Sequence, residues 1–222
     1  MIVHALRRFF PHARRLLEIG CGTGYVLRGI TERLPELQVS GSEIFLEGLD
    51  FASRRLPAAD LFQMDARQIP YDSEFDVIGA FDVIEHIEDD EQVLREMRRA
   101  LAPGGGVVLT VPQHPWLWSA QDERACHVRR YRYRELKQKL HAAGFAVVFS
   151  SSFVSLLLPL LAASRLRKRK PGGDDDLNGE LKPNALVNSA LYHVLRFESL
   201  LVRSGMRLPV GGTRLVVAIK TP

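Results

Sequence analysis

The stretch Arg15-Leu16-Leu17-Glu18-Ile19-Gly20-Cys21-Gly22-Thr23-Gly24 decides how this chain folds. The apolar run Leu16 to Ile19 halts at Gly20, as a buried strand does. Thr23 to Leu34 then sets Leu27, Ile30 and Leu34 on one face, which predicts a helix. Glycines at alternate positions let the chain reverse tightly and let a ligand approach the backbone without meeting a Cβ. The helix offers its free N–H groups at the same point.

In dinucleotide enzymes such a turn binds a pyrophosphate, usually behind G-x-G-x-x-G. Here the spacing is G-x-G-x-G, and Glu18 stands just before the first glycine of the turn. A carboxylate there disfavours a phosphate and suits a cation. The α-ammonium of methionine and a sulfonium are both positive, and Glu18 can hold the former directly or through water. The residues therefore point away from a nicotinamide oxidoreductase and towards S-adenosylmethionine.

Outward from this turn the strand–helix rhythm repeats. Leu37 to Glu43 reads as a second strand, Leu46 to Leu56 as a helix closed by Pro57, Asp60 to Met64 as a third strand and Phe75 to Phe81 as a fourth. Asp89 to Leu101 is the clearest helix, with Asp89 or Asp90 at its start and Val93, Leu94, Met97, Ala100 and Leu101 on one side. Pro103 to Gly106 ends it, and Val107 to Val111 predicts a fifth strand buried on both faces. A polar, aromatic loop follows from Pro112 to Arg132. Next come a helix over Tyr133 to Ala143, a sixth strand over Phe145 to Phe149 and a last strand over Leu215 to Ile219. Such alternation predicts an α/β fold, a doubly wound, mostly parallel sheet with right-handed crossovers.

Carboxylates sit at successive strand ends. Glu43 closes the second strand, where it can accept hydrogen bonds from both ribose hydroxyls. Asp65 ends the third, placed to accept from an adenine amine, and Asp82 follows the fourth, near the amino-acid tail. Each has an alternative as a solvated loop charge. Their joint order along one sheet edge favours the cofactor reading.

The bulk properties agree. The 222 residues suit a single domain, with 30 basic against 26 acidic side chains and 46% hydrophobic residues. A formal charge of +4 is too mild to argue for a nucleic-acid partner. Only Cys21 and Cys126 occur, without metal or redox spacing, as in a reduced cytoplasmic protein. Met1 to Arg15 lacks the apolar core and cleavage site of a signal peptide.

With these motifs in view, the chain resembles the class I S-adenosylmethionine-dependent methyltransferases, in particular the bacterial group similar to the quinone-biosynthesis O-methyltransferases. The resemblance rests on Glu18 to Gly24, Met64-Asp65-Ala66, Phe75 to Ile78, Val83-Ile84-Glu85-His86-Ile87 and Leu101 to Gly105, and covers roughly residues 12 to 150 plus the last strand. It implies a Rossmann-like seven-stranded sheet whose final strand, Gly212 to Lys220, runs antiparallel beside the fifth. It also implies that Glu18, Gly20, Cys21, Gly22 and Gly24 line the methionine part of the cofactor, Glu43 the ribose, and Asp65 with Ala66 the adenine.

Methyl transfer is an in-line displacement, so positioning and exclusion of water supply most of the acceleration. A hydroxyl acceptor also needs a base. His86, just after the fourth strand, suits that task, with bracing of the loop as its alternative. His127 and Arg130 lie on the long loop after the fifth strand with Trp116, Trp118 and Arg129, a set suited to an anionic or sugar-like acceptor. The alternative is that the arginines pair with Asp122 or Glu123.

No metal is assigned. Even so, Asp82, Glu85 and His86 have the spacing of a ligand cluster that His127 or His114 could complete. The related enzymes use Glu-x-x-Glu-His, and Asp82 here replaces the first Glu.

Residues 153 to 211 break the rhythm and form a helical insertion or lid. Phe153 to Leu166 is apolar and interrupted by Pro159. A basic cluster from Arg165 to Lys170 accompanies it, and a mobile loop rich in Gly and Asp runs from Pro171 to Lys182. Asn184 caps a helix ending at Gly205, with Leu186, Val187, Ala190, Leu191, Val194 and Leu195 on its apolar side. Apolar residues beside cations over 153–170 suit peripheral contact with anionic lipid, a lid over a lipid-linked acceptor, or a homodimer contact.

The chain is thus read as a cytoplasmic methyltransferase of a small or lipid-linked acceptor, with oxygen the nucleophile. A nicotinamide oxidoreductase and a non-catalytic methyltransferase-like binding protein are the alternatives.

Overall fold

The computed structural model describes residues 1–166 and 184–222. Seven strands form one sheet: β1 (Arg15–Ile19), β2 (Gln38–Glu43), β3 (Asp60–Gln63), β4 (Phe75–Phe81), β5 (Leu101–Pro112), β6 (Phe145–Phe153) and β7 (Thr213–Lys220). Their order is β3-β2-β1-β4-β5-β7-β6. The first five pair in parallel, and β7 enters antiparallel to both β5 and β6. The expected architecture is therefore the observed one, with the switch of direction between β1 and β4 at the edge where doubly wound sheets bind ligands.

The helices are α1 (Ile2–Phe9), α2 (Tyr25–Thr31), α3 (Leu46–Arg55), α4 (Asp90–Ala100), α5 (Ala120–Arg124), α6 (Tyr133–Ala142), α7 (Leu158–Leu166) and α8 (Ala185–Arg203). Two apolar layers cover the two sheet faces. On one, Val93, Leu94 and Met97 of α4 and Leu136 and Leu140 of α6 meet Leu17, Ile78 and Leu109. On the other, Leu6 of α1 and Leu27 and Ile30 of α2 meet Leu16, Val77 and Val108. Central strands buried on both sides account for their unbroken apolar runs.

Several expected boundaries change, each for a local reason. β5 begins at Leu101, directly after α4, because Leu101 pairs with Phe75 before a register shift resumes pairing at Val77 and Gly106. Pro103 to Gly105 form the bulge between those pairings, with Gly104 at φ +79°. The long loop after β5 contains α5, whose Ser119 and Asp122 make a reciprocal capping box. β6 runs on to Phe153, and Pro159 lies in the first turn of α7 rather than interrupting a helix. α1 had no counterpart among the expected elements.

The insertion departs most. Asn184 caps α8 as expected, its Oδ1 accepting from the Leu186 N–H at 3.2 Å. The apolar side of α8 is largely exposed: Leu186 is 78% and Val187 50% accessible, and along this helix only Glu198 and Val202 are buried. α8 is moored at its far end, where Glu198 Oε2 accepts from the N–H groups of Ser155 and Leu156 at 2.8 Å each. Among the described residues no helix is long and apolar enough to cross a membrane. Basic residues 167–170 and the loop expected over 171–182 lie outside the described residues.

Candidate active site

The turn after β1 holds three glycines with positive φ, Gly20, Gly22 and Gly24. They are there for different reasons. A Cβ on Gly20 would stand 2.6 Å from Cγ2 of Val83, so this glycine admits the segment after β4. On Gly24 it would press on Ala52 of α3 at 3.2 Å. On Gly22 it would meet nothing within 4 Å. Gly22 is thus the position of the turn whose open side is free for a ligand. The side chain of Cys21 is buried, and burial, then Glu18 and Glu43, pushes its thiol up to about 12, so it is an inert packing group here.

Glu18 lies on β1 under this turn. It is 2% accessible, and its Oε2 has no hydrogen-bond partner. Burial pushes its carboxyl up to about 8. A buried carboxylate without a donor is costly unless a cation meets it. Glu43, at the end of β2, is oriented by three backbone donors: Gly22 at 2.9 Å, Ile44 at 2.8 Å and Phe45 at 3.2 Å. Its two oxygens still have lone pairs to spare. Asp65 follows β3 but is occupied by Arg67, whose Nη2 donates at 2.6 Å; those hydrogen bonds hold its carboxyl below the usual range. Ala66 beside it is buried in the core layer.

Asp82 follows β4 at φ +56°, a conformation costly for a residue with a side chain. It reaches solvent yet is crowded enough that desolvation raises its pKa, against a hydrogen bond from Thr110 and the fields of His127 and His86. The carboxylates expected at the sheet edge are all there, in order, and Asp82 joins them to a second cluster.

That cluster contains His86, Glu85 and His127. Glu85 and His86 stand on a 3-10 turn after β4 (Ile84–His86). Glu85 is fully buried with neither oxygen partnered, and burial, then Asp82, pushes it up to about 8. His127 reaches in from the loop after α5, its ring 4.7 Å from that of His86 and its Nε2 4.0 Å from Glu85 Oε1. Burial, then His127, holds His86 below the usual histidine range. One ligand atom each from Glu85, His86 and His127 lie within 4.8 Å of one another, a set that fits a divalent cation with imidazole and carboxylate donors. His127, not His114, joins Glu85 and His86, and Asp82, expected as a third ligand, is not among the grouped atoms.

Arg130 does not face an open site. Its Nε donates to Asp122 Oδ1 at 2.6 Å and its Nη1 to the Gln113 carbonyl at 3.2 Å. Asp122 is itself buried, and although burial works to raise its pKa, the bonds from Arg130 and His127 outweigh it and hold the carboxyl low. The expected pairing of Arg130 with Asp122 is thus present, but buried. Of the two cap candidates Asp89 caps α4, while Asp90 is buried against the Tyr131 hydroxyl at 2.6 Å and Lys139 at 2.7 Å. No spacing rule marks either buried carboxylate.

A glycine turn over a buried carboxylate, with further carboxylates after successive strands, suits a class I methyltransferase site, and comparison with known proteins agrees. The family model described as a methyltransferase domain matches residues 2–149. The chain belongs to this family, the class I S-adenosylmethionine-dependent methyltransferases, and S-adenosylmethionine is the cofactor its site serves. It is 35% identical over 101 residues to a demethylmenaquinone methyltransferase of Deinococcus radiodurans, covering 43% of this chain and 42% of that one. It is 32% identical over 144 residues to a malonyl-[acyl-carrier protein] O-methyltransferase of Halorhodospira halophila, covering 60% and 49%. The chain thus spans about half the length of the curated relatives it matches. A solved S-adenosylmethionine-dependent methyltransferase from Mesorhizobium loti shares the fold, with a TM-score of 0.63 at 19% identity over 97% of this chain and 96% of that one.

Proposed function

We propose that this chain methylates an oxygen of a small or lipid-linked acceptor. The observation that carries the reading is the buried, unpartnered Oε2 of Glu18 on the strand that leads into the glycine turn, together with the open side of Gly22. S-adenosylmethionine, when bound, supplies a methyl group made electrophilic by the sulfonium. Glu18 meets its ammonium. The turn at Gly20, Gly22 and Gly24 lies along the methionine part with the Cys21 backbone, Glu43 accepts from the ribose hydroxyls, and Asp65 with Ala66 flanks the adenine. Asp82 stands between this region and the histidines.

His86 and His127 are the groups to take a proton from an acceptor hydroxyl, since neutral imidazole accepts one near neutrality. Arg130 acts through Asp122, which orients His127. The exposed apolar residues of α8 support an apolar or lipid-linked acceptor, a peripheral membrane contact or a second copy of the chain over the insertion.

Calorimetry with S-adenosylhomocysteine and with NAD tests the cofactor assignment, and methyl transfer over hydroxyl and amine acceptors tests the reaction. Heat with NAD alone refutes the first. Transfer to amines only refutes oxygen as the nucleophile.

A second reading is favoured by Glu85, whose two unpartnered oxygens face two imidazoles. In it, Glu85, His86 and His127 hold a divalent ion that polarises the acceptor oxygen. Activity lost in EDTA and restored by Mg²⁺ or Mn²⁺ supports this reading. Activity indifferent to both removes it.

A further inference from the structure

Many arginines of this chain sit beside a carboxylate. Arg28 pairs with Glu32, Arg54 with Asp50, Arg99 with Glu96 and Arg130 with Asp122. One place departs from this habit. A cavity of about 510 Å3 between α1, α2 and the end of α8 is walled by Arg7, Arg33, Arg203 and His4, and no carboxylate lines it. Among the described residues, none of these three guanidinium groups has a carboxylate within ion-pair distance.

Two of the three are held by backbone. Arg7 Nη2 donates to the Arg33 carbonyl at 2.7 Å, and Arg33 Nη1 donates to the Gly29 carbonyl at 3.1 Å. Each therefore keeps donors free in a set orientation, since a guanidinium carries five. The buried Nε2 of His4 has no partner. Burial, then Arg203 and Arg8, holds that imidazole below its usual range, so it is neutral at pH 7 and adds no further charge to the wall.

We propose that this cleft binds the phosphate group of a ligand, gripped by Arg7, Arg33 and Arg203. Cations gathered without counter-charge repel one another, and an anion relieves that repulsion. A carboxylate offers two oxygens. A phosphate monoester offers three, with close to two negative charges, and matches donors arriving from α1, the turn after α2 and the end of α8. Val26 and Ile30 supply an apolar wall for the carbon part of the ligand. Tyr25, directly after Gly24, also lines the cleft, so the bound group lies next to the cofactor turn. The cleft does not involve Glu18, and its ligand is independent of the methyl-transfer reading.

The phosphate can belong to a soluble ester or to a lipid headgroup. The test uses the full chain at constant ionic strength, titrated with glycerol 3-phosphate. In parallel it is sedimented with phosphatidylcholine vesicles with and without phosphatidic acid. Saturable binding is expected, weakened at least about tenfold in the Arg33→Gln, Arg203→Gln double variant, with S-adenosylhomocysteine affinity unchanged. Saturation by the free ester identifies a soluble ligand; binding to phosphatidic acid vesicles alone identifies a headgroup. Should the double variant fail to fold, Arg203→Gln alone, at the exposed end of α8, carries the same expectation. Absence of saturable binding in both arms overturns the proposal, as does binding that the substitutions leave unchanged.

Discussion

Asp122 holds His127 through a 2.9 Å contact between Oδ1 and Nδ1. That contact orients the ring so that its Nε2 stands 4.0 Å from Oε1 of Glu85. The same Asp122 oxygen receives Arg130 and the same side chain caps α5, so one buried group sets both the loop and the imidazole.

Arg130→Ala is expected to leave Asp122 buried without its cation, costing about 3 kcal/mol. For a chain of this size that is a fall in Tm of roughly 6–12 °C. Turnover falls with it while S-adenosylhomocysteine affinity holds. Differential scanning fluorimetry with calorimetry separates these effects. A stable variant with only a raised acceptor KM would restore Arg130 to direct acceptor contact.

Gly20→Ala and Gly22→Ala are expected to fail differently. Both place a side chain at positive φ, at a cost of about 1–2 kcal/mol. Gly20→Ala also strikes Val83, so it destabilises the protein further, and adding Val83→Ala recovers part of that loss. Gly22→Ala meets no protein atom, keeps most of its stability and loses cofactor affinity. Equal melting temperatures for the two single variants would contradict this distinction.

Glu18 links cofactor binding to protons. Its carboxyl sits near 8 when unliganded, so it is largely protonated at pH 7. An ammonium favours the ionised form, and binding at that pH should release about one proton from this group. Calorimetry in buffers of different ionisation heat measures that release, and Glu18→Gln should abolish it.

The same raised carboxyls set the pH dependence of the ligand-free protein. Glu18 and Glu85 are pushed up to about 8 from 4.5. Between those values the native state keeps protons the unfolded chain has released. Their contribution to stability is full below about 4.5 and is lost as pH rises through about 8. The Tm should fall between about pH 4.5 and 8, and less so in Glu18→Gln. A flat profile would mean that these carboxyls find partners in solution.

On α8, replacing Leu186 and Phe197 with Ser should change stability by less than about 1 kcal/mol, because both side chains are exposed. It should reduce sedimentation with anionic vesicles, or dimerisation in analytical ultracentrifugation. If neither occurs in the parent chain, the apolar face serves the acceptor instead.

Much of the sheet was legible because its central strands are buried on both faces and say so in unbroken apolar runs, as Val107 to Val111 does. The cofactor edge was legible because Glu18 and the G-x-G-x-G spacing answer to one chemistry. Asp90 and Asp122 were not, because a buried carboxylate looks like a solvated one until Tyr131, Lys139 or Arg130 arrives from a distant segment. Nor was the exposure of α8. A one-sided apolar pattern shows that a face wants cover, and leaves open what covers it.

In register, Phe153 of β6 pairs with Thr213 of β7. The excursion that carries α7 and α8 therefore leaves and rejoins the sheet at one rung, as an outgrowth on a hairpin. Because closing a longer loop costs little more than closing a shorter one, such an outgrowth can be lengthened, shortened or exchanged between relatives while the hairpin beneath it keeps its pairing. Diversification of this scaffold would then be concentrated at a single graft point.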